Sequence, residues 1–414
     1  MDLFVVIALL VIVSAFFSYL NARFIKLPGT IGIVLIATIV SIVILVVDKL
    51  DPTTARYLTT LAKNIDFSKV VLNIMLGFLL FSSAFNLDGK KLKKEMRPVL
   101  ILSTLGVILS TAIFGSLLYY LAPFFHIHMP LIYCLLFGAL VSPTDPVAVS
   151  AIVKNSKLPA HLETIISGES LFNDGVGLVL FVILLEITDV GEKNIEASKV
   201  VVLILKEVLV GIIAGAVLGY LAQRLMKSVK DFQTIVLISL ALVMGLSVLA
   251  TIFEFSIPLA VVTAGLFAGS HSINQDNKER SHEALEKFWQ LVDEMLNTIL
   301  FVMIGLQLIN LPFVNNYWVT GSISIVFILI ARWLSIMLPL TFLRRSLKVN
   351  YSNINVMTWA GLRGGISIAL ALTLPNTPYR HLILSGSYFI VIFSVIVQGL
   401  TLNAMINKAS KYIE

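Results

Sequence analysis

Long apolar runs separated by short polar stretches fill almost the whole of this chain, and that alternation predicts a bundle of membrane-spanning helices. About 20 apolar residues at 1.5 Å rise per residue cover a ~30 Å hydrocarbon core. Runs of that order fall at 3–20, 30–47, 69–87, 98–121, 130–153, 162–187, 199–223, 233–252, 255–270, 294–310, 317–342, 352–374 and 382–406, thirteen spans in all. An odd number of spans puts the two termini on opposite faces of the membrane. Lys and Arg sum to 20 over the loops of one face and to 7 over those of the other. The cluster Lys90, Lys91, Lys93, Lys94 and Arg97 contributes most. The positive-inside rule therefore predicts an N-terminus outside and a C-terminus in the cytoplasm.

Composition agrees with an all-α polytopic membrane protein. Hydrophobic residues make up 58% of the 414 residues and charged ones 13%, about half the charged share of a soluble domain. The net charge of +6 is spread in small clusters between apolar runs, so it reads as topology and no nucleic-acid partner is expected. Cys134 stands alone within a span, which excludes a disulfide framework and a thiolate metal site. The first run lacks a basic flank and a small-residue cleavage pattern, and reads as a retained span. The longest polar segment, Ser270 to Glu294, carries Leu285, Phe288, Trp289 and Val292 at helical spacing, the pattern of an amphipathic helix lying at the membrane interface.

Charges inside the apolar runs single out the candidate chemistry, because a buried charge is costly unless it serves a function or has a partner. The fifth span contains Ser142-Pro143-Thr144-Asp145-Pro146. Neither proline can donate to the carbonyl four residues earlier, so the helix should open and leave the Ala139 and Ser142 carbonyls free beside a carboxylate. Oxygen ligands of that kind suit a small hard cation. The sixth span reads Gly168-Glu169-Ser170-Leu171-Phe172-Asn173-Asp174-Gly175. Ser170 and Asp174, four apart, share a face with Asn173 adjacent, giving one strip of hydroxyl, amide and carboxylate. Glu169 points elsewhere and needs its own partner. Arg332 in the eleventh span is the obvious one, and a pair that fixes helix packing is a stronger reading than direct transport chemistry. The twelfth span carries Gly361-Leu362-Arg363-Gly364-Gly365, a second interrupted segment running opposite to the fifth. Such a pair points to an inverted-repeat transporter with a midplane site. Arg363 is open to two readings: a fixed positive charge at the crossing of the broken helices, or a side chain that pairs or snorkels towards the cytoplasmic face.

Enzyme chemistry finds no footing. The histidines include no His-Glu-x-x-His, and no Gly-x-x-x-x-Gly-Lys loop offers ATP drive. His126 and His128 read as ordinary interfacial residues.

The proline motif, the Gly168 to Asp174 stretch, Phe288-Trp289 leading to Leu300-Phe301-Val302-Met303-Ile304-Gly305, and Gly361-Leu362-Arg363-Gly364 together resemble the monovalent cation:proton antiporter superfamily. Within it they resemble the electroneutral NhaP-type prokaryotic sodium/proton exchangers, related to the animal exchangers. The resemblance covers nearly the whole chain and implies about thirteen helices in inverted repeats with crossing unwound helices. It further implies a homodimer in a prokaryotic plasma membrane, with a core bundle at about 69–187 plus 294–406. Scaffold helices would lie at about 1–47 and 199–270, with 271–293 as a cytoplasmic amphipathic linker. By motif position Asp174 is implied as the principal cation and proton carboxylate, and Ser170, Asp145 and Thr144 as further Na+ ligands or their supports. Asn173 occupies the place where electrogenic relatives carry a second aspartate, and Glu169 with Arg332 that of a stabilising pair. One departure is Ser82, where many members have an acidic residue in the third span. The chain closes at Glu414, so the long regulatory tail of the animal exchangers is not expected.

A single buried carboxylate that takes either Na+ or H+ suffices for exchange. Desolvation disfavours the empty charged form and either ligand relieves it, so occupancy is competitive and only loaded states cross cheaply. With Asn173 neutral and Glu169 paired, one-for-one electroneutral exchange is expected, Asp145 being the main threat to that count. No cofactor is called for beyond the transported Na+ (or Li+) and H+. A K+/H+ exchanger of the same fold is the nearest alternative. A gated cation channel would need a filter-like repeat, which is not visible, and a sodium-coupled symporter a larger organic pocket.

Overall fold

A computed structural model describes residues 3–50, 66–146, 148–149, 156, 158–190, 202, 204–269, 279–311, 317–347, 349 and 353–410. Among these every regular element is helical. Ten helices are long and apolar enough to cross a membrane: α1 (Phe4–Ile25), α2 (Gly29–Leu50), α3 (Phe67–Phe85), α4 (Met96–Phe125), α6 (Ala160–Thr188), α7 (Lys206–Ser228), α8 (Phe232–Phe253), α10 (Glu283–Asn310), α11 (Trp318–Leu343) and α14 (Arg380–Ala409). Shorter apolar helices are α5 (Leu131–Val141) and α9 (Ile257–Gly269). The pair α12 (Ile354–Trp359) and α13 (Gly365–Thr373) is separated by an unwound stretch. A helical segment thus occupies each of the thirteen spans, α12 and α13 sharing one. Parts of 130–153, 199–223, 352–374 and 270–294 lie outside the described residues.

Local chemistry accounts for the ends of these helices. Asp231 caps α8 by accepting from the Thr234 backbone N–H at 2.8 Å and its hydroxyl at 2.6 Å, which holds the Asp231 carboxyl below the usual carboxylate range. Asp88 does the same for the short helix Gly89–Lys94 through the N–H groups of Lys90 and Lys91.

The interfacial helix expected within Ser270 to Glu294 is not a separate element. Residues from Glu279 continue unbroken to Leu306, and Leu285 and Trp289 are buried. The apolar stripe stays in phase through the charged stretch, so one helix forms and its inner face finds a wall. Trp289 packs on Phe81 with ring centroids 4.6 Å apart and donates from Nε1 to the Ser239 hydroxyl at 3.2 Å, tying α10 to α3 and α8. Charged residues on the opposite face had broken the hydropathy run.

Packing sorts the helices into two groups. In one, α4 lies against α5 and α11, α5 against α6, α11 against α12 and α14, and α13 against α14. In the other, α9 packs on α3, α7 and α8, while α10 packs on α1, α2 and α3. The sequence-based boundaries put α3 and α10 with the first group. Their most extensive contacts instead lie in the second, because the small residues of α9 admit α3 closely and Gly305 of α10 lies directly against Ala37 of α2. The two groups meet along α3, α10 and α13, and that seam holds the site.

Candidate ion-binding site

Helix α5 stops at Val141 because proline chemistry follows it. Pro146 cannot supply the N–H that would have filled the Ser142 carbonyl. Facing this break is the unwound stretch 360–364. The Asp145 backbone N–H donates to the Leu362 carbonyl at 2.7 Å, and Arg363 donates from Nη1 to the carbonyls of Ser142 and, at 2.8 Å, Pro143. Arg363 is 2% exposed and its own N–H donates to the Ser394 hydroxyl at 2.9 Å. Two corrections follow. Arg363 does not snorkel, and among the described residues it hydrogen-bonds no carboxylate, since the Ser142 and Pro143 carbonyls hold it inside. The Ser142 carbonyl, expected as a cation ligand, is already occupied by that guanidinium.

Two glycines make the crossing possible. A Cβ at Gly361 would come within 2.9 Å of Arg332 Nε, and one at Gly364 would run into the Asp145 carboxylate. Gly364 is also the residue at the head of α13, so the Asp145 carboxylate lies against that helix N-terminus, where a negative charge is favoured. Asp145 Oδ1 accepts from the Ala148 N–H at 3.3 Å, capping the chain where helical backbone resumes.

Helix α6 supplies the other wall. Thr144 is gripped from three directions: its hydroxyl lies 2.7 Å from the Ser170 hydroxyl and accepts from Asn173 Nδ2 at 2.7 Å, while its N–H donates to Asn173 Oδ1 at 3.2 Å. Both ends of the Asn173 amide are thus engaged. Ser170 and Asn173 act on Thr144 from behind, whereas Thr144, Asp145 and Asp174 line a cavity of about 30 Å³, room for about two water-sized occupants. Asp174 is buried and its Oδ2 has no hydrogen-bond partner among the described residues. Glu169, fully buried, receives Arg332 in a two-pronged pair, Nη1 to Oε1 and, at 3.0 Å, Nη2 to Oε2, joining α6 to α11.

The opposite wall, from α3, α10 and α13, is mostly apolar: Val71, Leu76, Leu79, Leu80, Leu300 and Ile366, interrupted by Ser83, Asn297 and Ser367. Sequence reasoning missed these three polar residues. The signal available was an uncharged polar side chain in an apolar run, which is weak. Ser82 is turned away and donates to the Trp289 carbonyl at 2.7 Å, leaving its neighbour Ser83 on the cavity.

The sequence profile of the transmembrane sodium/hydrogen exchanger family matches residues 11–408. The chain belongs to the sodium/hydrogen exchanger family. Among relatives of this exchanger is the Na(+)/H(+) antiporter NhaP of Pseudomonas aeruginosa, 38% identical over 410 residues, covering 97% of this chain and 96% of that protein. Another, the Na(+)/H(+) antiporter NhaH of Halobacillus aidingensis, is 30% identical over 413 residues, covering 98% of each. The fold of this chain is similar to that of the sodium proton antiporter MjNhaP1 from Methanocaldococcus jannaschii, solved at pH 8, with a TM-score of 0.76 over 99% of both chains at 19% identity. The exchanger is accordingly an integral membrane protein of transporter architecture.

Proposed function

We propose that this exchanger swaps Na+ for H+ one for one across a prokaryotic plasma membrane, with Asp174 as the group that carries either ion. The observation that carries the reading is the buried cavity in which Asp174, with an unpartnered oxygen, faces Thr144 and Asp145. Charge counting supports the stoichiometry. Glu169 cancels Arg332, and Arg363 offsets one of the two carboxylates Asp145 and Asp174, so the set carries one net negative charge. Adding Na+ or H+ makes the set neutral and leaving it empty makes it anionic. A net charge is costly to carry through hydrocarbon, so loaded states exchange sides and the empty one does not. Thr144 and Asp145 act as further oxygen ligands of Na+, with Ser170 and Asn173 holding Thr144 in place.

Alternating access on this reading is a rigid-body shift of α4–α6 and α11–α14 against α1–α3 and α7–α10. The packing supports that boundary. The second group would also carry the homodimer contact, and the termini would lie outside (N) and in the cytoplasm (C).

Proteoliposomes test the proposal. With an outward proton gradient, Na+ uptake should proceed, Asp174→Asn should abolish it, and an imposed membrane potential at zero pH gradient should drive no sustained Na+ accumulation. Accumulation driven by potential alone would overturn one-for-one exchange and point to Asp145 as a second proton carrier. Proton flux with K+ but not with Na+ would overturn the assigned cation.

A further inference from the structure

The cavity is walled from two sides of unequal chemistry. The charged groups come from the α5 break and α6, and with them the Thr144 and Ser367 side chains, all in the first helix group. From the second group come α3 and α10, which present leucines and valine apart from Ser83 and Asn297. Asn297 is 3% exposed and sits near the middle of α10, between Asp293 one turn before it and Leu300 nearly one turn after. Its Nδ2 donates to the Asp293 carbonyl at 2.7 Å. That bond orients the amide: one N–H of Nδ2 is given to the helix backbone, which turns the carbonyl oxygen the other way on a residue that lines the cavity.

We infer that Asn297 is a specificity-determining residue of the exchanger, its amide oxygen contacting the transported cation or its residual hydration water from the side opposite Asp174. An amide oxygen is a ligand for a small hard cation, and unlike a carboxylate it takes up no proton near neutral pH. It therefore adds cation affinity without adding a proton carrier. The ligand geometry also becomes sensitive to cation size, because the amide is anchored on a helix packed in the other group.

The inference rests on the Na+/H+ reading of the same cavity, and reconstituted vesicles separate the two. Asn297→Ala should raise the KM for Na+ about tenfold, with KM rising more than Vmax falls, and should change the ratio of the Li+ and Na+ KM values. Asn297→Ser, which keeps an oxygen, should recover part of the loss. Asn297→Asp should make Na+ movement respond to membrane potential, since a second titrating carboxylate then faces the ion. A merely structural asparagine would give a lowered Tm and Vmax with the Li+/Na+ ratio unchanged and no potential sensitivity in the aspartate variant; that outcome, or an Asn297→Ala KM within twofold of the parent for both ions, overturns the inference. Retained exchange by Asp174→Asn would instead overturn the site reading, whatever the Asn297 variants do.

Discussion

At the scale of single residues the division of labour follows from what each charge meets. Glu169 and Arg332 satisfy one another, so removing either leaves a buried unpaired charge, typically about 3–5 kcal/mol. Glu169→Gln and Arg332→Met should each lower Tm strongly, and the double variant should recover part of the loss. A coupling free energy near zero in that cycle would show that the pair does not hold the fold. The candidate acids were legible in the sequence because a carboxylate inside an apolar run stands out at once. The uncharged members were less so. Asn297 and Ser83 are unobtrusive in a hydropathy profile, and the part Asn173 plays, clamping both polar groups of Thr144, depends on segments 29 residues apart meeting in space.

Elements show the same contrast between what prolines announce and what packing decides. The break after α5 follows from Pro143 and Pro146 alone, and its partner between α12 and α13 from a glycine cluster read beside it. The sequence offered Arg363 as a fixed charge at the crossing, but not that its guanidinium fills the Ser142 and Pro143 carbonyls, because that contact joins segments some 220 residues apart. Nor was the length of α10, whose charged outer face masks an inner face that runs on to Trp289. Gly364→Ala should abolish or severely slow exchange in a protein that still folds, since its Cβ meets the Asp145 carboxylate. Gly245→Ala in α8 is the matched control: a Cβ there meets nothing within 4 Å, so the variant should gain about 0.5–1 kcal/mol of helix stability and a higher Tm with transport unchanged. Equal transport by the two variants would remove the close approach at Gly364 as a requirement.

For the whole molecule the decisive question is which helices move together. Gly77 of α3 faces the Ser247 hydroxyl of α8, inside one group, whereas Val179 of α6 and Leu259 of α9 share a small apolar cluster between groups. In a Cys134→Ser background, cross-linking Gly77→Cys to Ser247→Cys should leave exchange running, and cross-linking Val179→Cys to Leu259→Cys should arrest it until reduced. Arrest by the first pair and not the second would reverse the boundary. The fold class was legible from the alternation of apolar and polar runs, but the proposed boundary was not, because α3 and α10 are as apolar as their neighbours and only their contacts favour the second group. That the ion cavity takes its walls from both groups has a pharmacological consequence. A small cationic blocker lodged there would touch both bodies at once, so it would compete with the ion and also pin the carrier mechanically. Its potency would depend on which way the carrier faced when it bound, and washout would be slower than its affinity for either wall alone implies.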